Sequence, residues 1–286
     1  MPRFPSYDGT ELACHVVGAG PPLVCLPGGP GRASAYLGDL GGLRAHRTLI
    51  LLDQRGTGES AVPQDPATYR YDRIVDDVEA LRRHLGLDRM DLLAHSAAGN
   101  PAQLYASRFP GRLSRLVLVA PGLRAAGVEP VGFAAAIEAR SGQWWYPKAK
   151  AALDAWQEAA ARGAGPAEVA PLRWAAAPFG YGRWDERSRA HSEAEQWEWS
   201  GAAAAGFYAG VAPDVAAVRA GLAALDAPVL IVAGELDPAP TPEAARALAA
   251  LLPAAEVVVQ DGASHFPWLD DPARFVKTVQ TFLSQG

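Results

Sequence analysis

Three short segments of this sequence hold side chains that can divide one reaction among them. Ala94-His95-Ser96-Ala97-Ala98-Gly99 offers a hydroxyl, Ala233-Gly234-Glu235-Leu236-Asp237-Pro238 a carboxylate, and Gly262-Ala263-Ser264-His265-Phe266-Pro267-Trp268 an imidazole. A serine hydroxyl is unreactive at its free pKa, so a histidine must take its proton and a carboxylate must hold the imidazole tautomer and stabilise the imidazolium. Ser96, His265 and Asp237 are therefore candidates for nucleophile, general base and orienting acid in acyl transfer. Each follows an apolar run that reads as a strand: Met90 to Ala94, Pro228 to Ala233 and Glu256 to Gln260. A serine on a tight strand-to-helix turn tolerates only small residues two places to either side, and Ala94 and Ala98 are small.

Rival groups are weaker. Glu235 shares a loop with Asp237, but Pro238 ends the strand beside Asp237 and favours the latter. His15 lies in a strand, His46 precedes one, His84 is on a helix face, and His95 is expected to point away from its neighbour Ser96. His191 falls in a region without strands. Acyl transfer also needs two N–H donors for the developing oxyanion. Ala97, directly after the nucleophile, supplies one, and the Gly-rich loop Pro27-Gly28-Gly29-Pro30-Gly31 after an early strand supplies the other. That loop is no phosphate cradle: it matches neither G-x-G-x-x-G nor a terminal G-K-[ST], and Pro30 removes a donor. No His, Cys, Asp or Glu cluster has metal-ligand spacing, and no cofactor is expected.

The elements that must position these groups follow from the apolar pattern. Leu12 to Val17, Pro22 to Leu26, Arg47 to Asp53 and Leu116 to Ala120 complete the strands. Ile74, Val78, Leu81 and Leu85 recur at helical spacing behind Asp72 as N-cap, with Gly86 as stop. Further helices are expected over Pro101 to Phe109, Pro242 to Leu252 and Pro272 to Leu283. Alternation of strand and helix predicts an α/β fold with a mostly parallel sheet covered on both faces. The rhythm stops at Pro121-Gly122 and resumes near Ala227. Residues 123–221 between them hold seven of the eight tryptophans, with helical runs such as Ala149 to Arg162, and read as an all-helical insertion. The core is then 1–122 plus 222–286. Because the insertion must cover the reactive end of the sheet, a closed aromatic pocket for a small hydrophobic or cyclic acyl group is expected. Trp268 is expected to pack behind His265.

With 286 residues, 49% hydrophobic and 20% charged, the chain is a globular protein of ordinary composition. A net charge of -5 and scattered arginines provide no phosphate-binding face, so nucleic acid is not an expected partner. No run approaches the roughly 18 apolar residues of a membrane span, and residues 1–10 hold no apolar signal core, so cytoplasmic location is the expectation. Cys14 and Cys25 both fall in apolar runs and read as buried, reduced thiols.

The motifs resemble a known family. Pro27 to Gly31 is similar to the HGGPG loop of the proline iminopeptidase branch of the α/β-hydrolase family, and Asp53 to Ser60 is similar to its DQRGxGxS loop. Ser96, Asp237 and His265 fall where its triad falls. Pro27 replaces the family's His, and Ala94 and Ala98 replace its elbow glycines. The resemblance implies an α/β-hydrolase with a helical cap at 123–221, Gly29 as the second oxyanion donor, and release of an N-terminal proline from peptides. In the family's cap, a Trp-Ser-x-Trp-Glu segment meets the substrate amine. Here the nearest text is Gln196-Trp197-Glu198-Trp199-Ser200-Gly201, which puts Ser200 in the Glu position. Trp197, Glu198, Trp199 and Glu195 are the expected substrate contacts, with Glu193 a further source of charge and a solvated acidic face the plain alternative. Asp53 is expected to brace its loop against Arg55. The residues themselves also leave open an esterase, lactonase or thioesterase for a hydrophobic small molecule, or a binder without catalysis.

Overall fold

The computed structural model describes residues 2–285. Among them, eight strands pair in one sheet: β1 (Arg3–Pro5), β2 (Glu11–Val17), β3 (Pro22–Leu26), β4 (Thr48–Leu52), β5 (Met90–His95), β6 (Leu113–Val119), β7 (Val229–Gly234) and β8 (Ala255–Gln260). Their order is β1-β2-β4-β3-β5-β6-β7-β8. β1 and β2 run antiparallel to their neighbours and every other pairing is parallel. Parallel strands need crossovers, and those crossovers cover both faces. Central strands are accordingly apolar on both sides.

Alternation then divides the core. Val24, Leu92, Leu116 and Val229 stand in register across four strands, and their face packs on α1 (Tyr71–His84), α2 (Gly99–Arg108) and α9 (Pro242–Ala249). Leu23, Cys25, Leu93, Val117, Leu230 and Val232 face the other way, against Trp268 and the apolar stripe Phe275, Val279 and Phe282 of α11 (Pro272–Ser284). Cys14 and Cys25 are buried and unpaired.

Between β6 and β7 the elements are helical: α3 (Phe133–Glu138), α4 (Tyr146–Ala161), α5 (Pro166–Ala175), α6 (Glu186–Glu198), α7 (Gly201–Phe207) and α8 (Val215–Ala223). Helices α3 and α4 carry a small core of their own, in which Ile137, Trp145, Ala149 and Leu153 close on Phe179. α8 behaves differently. Its Val218 and Leu222 join the main core with the residues of α2, so this helix packs on α2 although most of its sequence lies in the insertion. α10 (Pro267–Asp270) closes the histidine loop.

Two local features depart from the sequence pattern. Strand β1 escapes the sequence pattern because Phe4 is its one buried side chain, held against the His84 ring at 5.1 Å. Asp72 is not the N-cap of α1; the helix starts at Tyr71, and Asp72 lies in its first turn, paired with Arg70 at 2.7 Å. A carboxylate there still offsets the unpaired amides of the first turn. Among the described residues no helix is long and apolar enough to cross a membrane.

Candidate active site

Strand β5 delivers Ser96 to the carboxyl end of the sheet, where the chain turns sharply into α2. Ser96 has φ +54°, a left-handed conformation that a side chain adopts at a cost of about 1–3 kcal/mol and only when its surroundings impose it. The surroundings do so here. Its carbonyl accepts from the Gly122 N–H at 2.7 Å, and the Gly122 carbonyl accepts from Gln103 Nε2 at 2.6 Å. Asn100, four residues into the turn and fully buried, donates to the Ala97 carbonyl and accepts from the Ala125 N–H. The small residues around the serine are thus held by side chains of the helix it opens.

The three separated segments meet at this point. His265 Nε2 lies 2.8 Å from Ser96 Oγ, and His265 Nδ1 lies 2.8 Å from Asp237 Oδ2. Asp237 is buried, and its Oδ1 accepts from the Ala239 N–H at 2.9 Å, which leaves Oδ2 aimed at the ring. Burial of His265 disfavours its cation, but the charge and hydrogen bond of Asp237, with a smaller contribution from Glu195, outweigh it and hold the imidazole above its ordinary pKa. Such a series can move the Ser96 proton to nitrogen and keep the resulting imidazolium stable. Glu235 turns away, with its carboxylate accepting from the Gly262 N–H at 2.7 Å.

The Gly-rich loop lies against the elbow. A methyl group on Gly28 would fall 2.7 Å from Ser96 Cβ and 2.6 Å from the His95 carbonyl, so only glycine lets the two segments approach. The Gly28 N–H donates to the Tyr36 hydroxyl at 2.6 Å, whereas the Gly29 N–H has no acceptor among the described residues. Gly29 and Ala97 both border the cavity with Ser96. Two N–H groups at this place match what a developing oxyanion requires.

His95 joins these parts. Its Nε2 donates to the His265 carbonyl at 2.9 Å, which leaves Nδ1 to accept from the Tyr36 hydroxyl at 2.7 Å. Burial, then the neighbouring His265 and His191, push its pKa well below the usual histidine value, so it stays neutral. Trp268 packs edge-on at 4.8 Å behind this ring. Asp53 does not pair with Arg55. Its buried carboxylate accepts from Ser34 and from the Glu59 N–H and meets His15 Nε2, while Arg55 is taken by Asp77 and Asp8. The buried Asp77 outbids the neighbouring residue because it meets the guanidinium with both oxygens.

A cavity of about 670 Å³ opens over Ser96 between the sheet edge and the helices. Its wall is largely apolar: Phe133, Ile137, Leu153, Trp156 and Phe179 from the insertion, and Phe266 beside the histidine. Glu195 and Trp199 reach the wall. Trp197 and Glu198 do not: Trp197 is 90% exposed, and Glu198 is bound by Arg32 at 2.7 Å beneath the loop. Glu193 faces solvent. Helix phase separates these residues, since neighbours along α6 point to different sides. Glu195 is itself engaged by the Arg173 guanidinium, which stacks over the Trp199 ring at 5.0 Å. Asn100, Tyr36, Arg32 and Arg173 were not expected at the site. Spacing alone carries little sign of them, since the partners that hold them include Ala125, His95, Glu198 and Glu195, which belong to other elements.

A family model described as alpha/beta hydrolase fold matches residues 21–272. A proline iminopeptidase from Lactobacillus helveticus is 41% identical over 119 residues, 39% of this chain and 40% of that protein. Another, from Heyndrickxia coagulans, is 35% identical over 108 residues, and the match spans 38% of its length. An esterase from a Rhodococcus species superposes with TM-score 0.76 at 24% identity, covering 99% of this chain and 98% of its own. A proline iminopeptidase from Mycobacterium smegmatis superposes with TM-score 0.72 at 25% identity, over 99% and 97% of the two chains.

Proposed function

From the premise that this chain belongs to the alpha/beta hydrolase fold family, we propose that it is a serine hydrolase acting through an acyl-enzyme on Ser96. In this reading His265 accepts the Ser96 proton as Oγ attacks the substrate carbonyl, and Asp237 stabilises the imidazolium. The N–H groups of Gly29 and Ala97 hold the tetrahedral oxyanion. His265 then protonates the leaving group, and a water activated by the same imidazole releases the acid. The observation that carries the reading is the pair of 2.8 Å contacts through His265, made on a serine held at φ +54° and facing a cavity.

The cavity favours an ester, lactone or thioester with an uncharged hydrophobic acyl group. At about 670 Å³ it has the size of sites that enclose a whole drug-sized molecule, roughly 300–1,000 Å³, more than one proline ring requires. Glu195, the one carboxylate on its wall besides Asp237 among the described residues, is neutralised by Arg173. An amine would have to displace that guanidinium. The second reading, release of N-terminal proline, draws on the place of Glu195 on the wall and on the relatives that bear that name.

One set of assays tests both. A fluorophosphonate probe should label the wild type and not Ser96→Ala. Turnover of p-nitrophenyl butyrate without turnover of prolyl-2-naphthylamide supports the ester reading, and the opposite outcome supports the peptidase. A folded protein that neither labels nor turns over would instead be a ligand binder.

A further inference from the structure

A segment of the insertion is hydrogen-bonded directly to the Gly-rich loop. Residues 198–200 run antiparallel to residues 31–33: the Ala33 N–H donates to the Glu198 carbonyl at 2.9 Å, and the Ser200 N–H donates to the Gly31 carbonyl at 2.8 Å. The indole Nε1 of Trp199 donates to the Pro30 carbonyl at 3.0 Å. Arg32, 3% exposed, sends Nε to Glu198 at 2.7 Å and Nη2 to the His191 carbonyl at 2.8 Å. The fit is backbone on backbone. A methyl group on Gly31 would lie 2.7 Å from the Ser200 carbonyl and 2.7 Å from the Ala204 nitrogen.

The loop has a second support on its sheet side. The Arg32 guanidinium lies 4.5 Å over the Tyr36 ring, and Tyr36 accepts the Gly28 N–H. Glu198, Arg32, Tyr36 and Gly28 thus form one series that crosses from the insertion to the residue before Gly29. Gly29 is held on both flanks, by Gly28 through Tyr36 and by Pro30 through Trp199.

Resting on the serine hydrolase reading above, we infer that Glu198 and Trp199 are positioning residues for the oxyanion hole: they fix the loop so that the Gly29 N–H aims at the oxygen that becomes negative. On this account the insertion shapes the transition state as well as the substrate. The covering segment cannot lift away at residues 198–200 without withdrawing an oxyanion donor, so the chemical step needs that contact closed.

Donor geometry has its own signature. A thionoester presents sulfur, a poor hydrogen-bond acceptor, so a well-formed pair of N–H donors accelerates an oxoester more than its thiono counterpart, and a displaced pair loses that preference. Glu198→Gln removes the charge that holds Arg32, and Trp199→Phe removes the indole N–H while keeping an aromatic ring. Loss of a whole oxyanion donor costs on the order of 100- to 1,000-fold in kcat, so displacement should cost about tenfold. Both variants should show that drop in kcat on a p-nitrophenyl ester, with KM within about twofold. The oxo-to-thiono rate ratio should fall by the same factor, while the exposed neighbour Trp197→Ala keeps the wild-type ratio. An unchanged ratio in both variants, with a wild type that turns over, overturns the inference and leaves the hydrolase reading intact. A wild type inert to ester and probe removes both.

Discussion

The sheet and the helical segment above it are held together on different terms. Every residue of β7 is buried, and the four central parallel strands are enclosed by helices on both faces. Helices α3 and α4 carry only a small apolar cluster, centred on Ile137, Trp145, Leu153 and Phe179, and large aromatic side chains such as Trp144 and Trp197 lie 74% and 90% exposed. At residues 198–200 the contact with the Gly-rich loop is polar, through Arg32, Glu198 and the backbone of residues 31–33. On the serine hydrolase reading, stability and reaction chemistry belong to the sheet, where Asp237 is buried and Ser96 and His265 are half-buried at strand ends. On the same reading, selectivity and the aim of one oxyanion donor belong to the helices.

Substitutions at the strand ends test the first half of that contrast most severely. Ser96→Ala or His265→Ala should lower kcat on an active ester by about a millionfold, with stability changed by less than about 1 kcal/mol in urea unfolding. A residual rate within tenfold of wild type would show that these groups only pack. Asp237→Asn should cost about 10⁴-fold, because the imidazole loses its tautomer and its counter-charge. The pH profile carries a sign as well. Asp237 holds His265 above its ordinary pKa and the neutral ring is the base, so kcat/KM rises with pH through that value. Loss of the carboxylate lowers the pKa, and the acid limb of the residual activity should move to lower pH.

Stability sharpens the comparison next. Leu118→Ala in β6 leaves a cavity among buried neighbours and should cost about 2–5 kcal/mol. Leu153→Ala in α4 enlarges a cavity already open on one side, so its cost should be nearer 1 kcal/mol. Its main effect should be a changed KM for bulky acyl esters. Equal losses at the two positions would erase the distinction between the regions.

The smallest effect concerns the histidines between the layers. Burial and then Arg32 push His191 down to about 3, and His95 is also held well below its free value. Unfolding lets both take protons, so stability rises with pH and falls below about pH 6.5 by at most about 1.4 kcal/mol per pH unit per histidine. His191→Gln should flatten the pH 5–7 slope of the urea midpoint. A slope unchanged by the substitution would remove His191 from that account.

Some of this molecule is legible in the order of its residues. Ser96, Asp237 and His265 can be read because each follows an apolar strand and carries its own turn, features that depend on neighbours a few residues away. The helical character of residues 133–207 is legible for the same reason. β1 is not, since three residues with a single apolar member have no period, and the role of α8 is not, since an amphipathic helix does not reveal which layer receives it.

The amino-acid sequence by itself determined the chemistry available at the carboxyl end of the sheet, because strand, turn and reactive side chain are a local construction repeated three times. Only the tertiary structure decided what the acidic end of α6 does. Glu193, Glu195 and Glu198 are alike as text, yet one faces solvent, one is paired with Arg173 on the cavity wall, and one is bound by Arg32 beneath the Gly-rich loop. A carboxylate takes its role from the cation it meets, and Arg32 comes from a loop on the other side of the sheet sequence, 166 residues from Glu198.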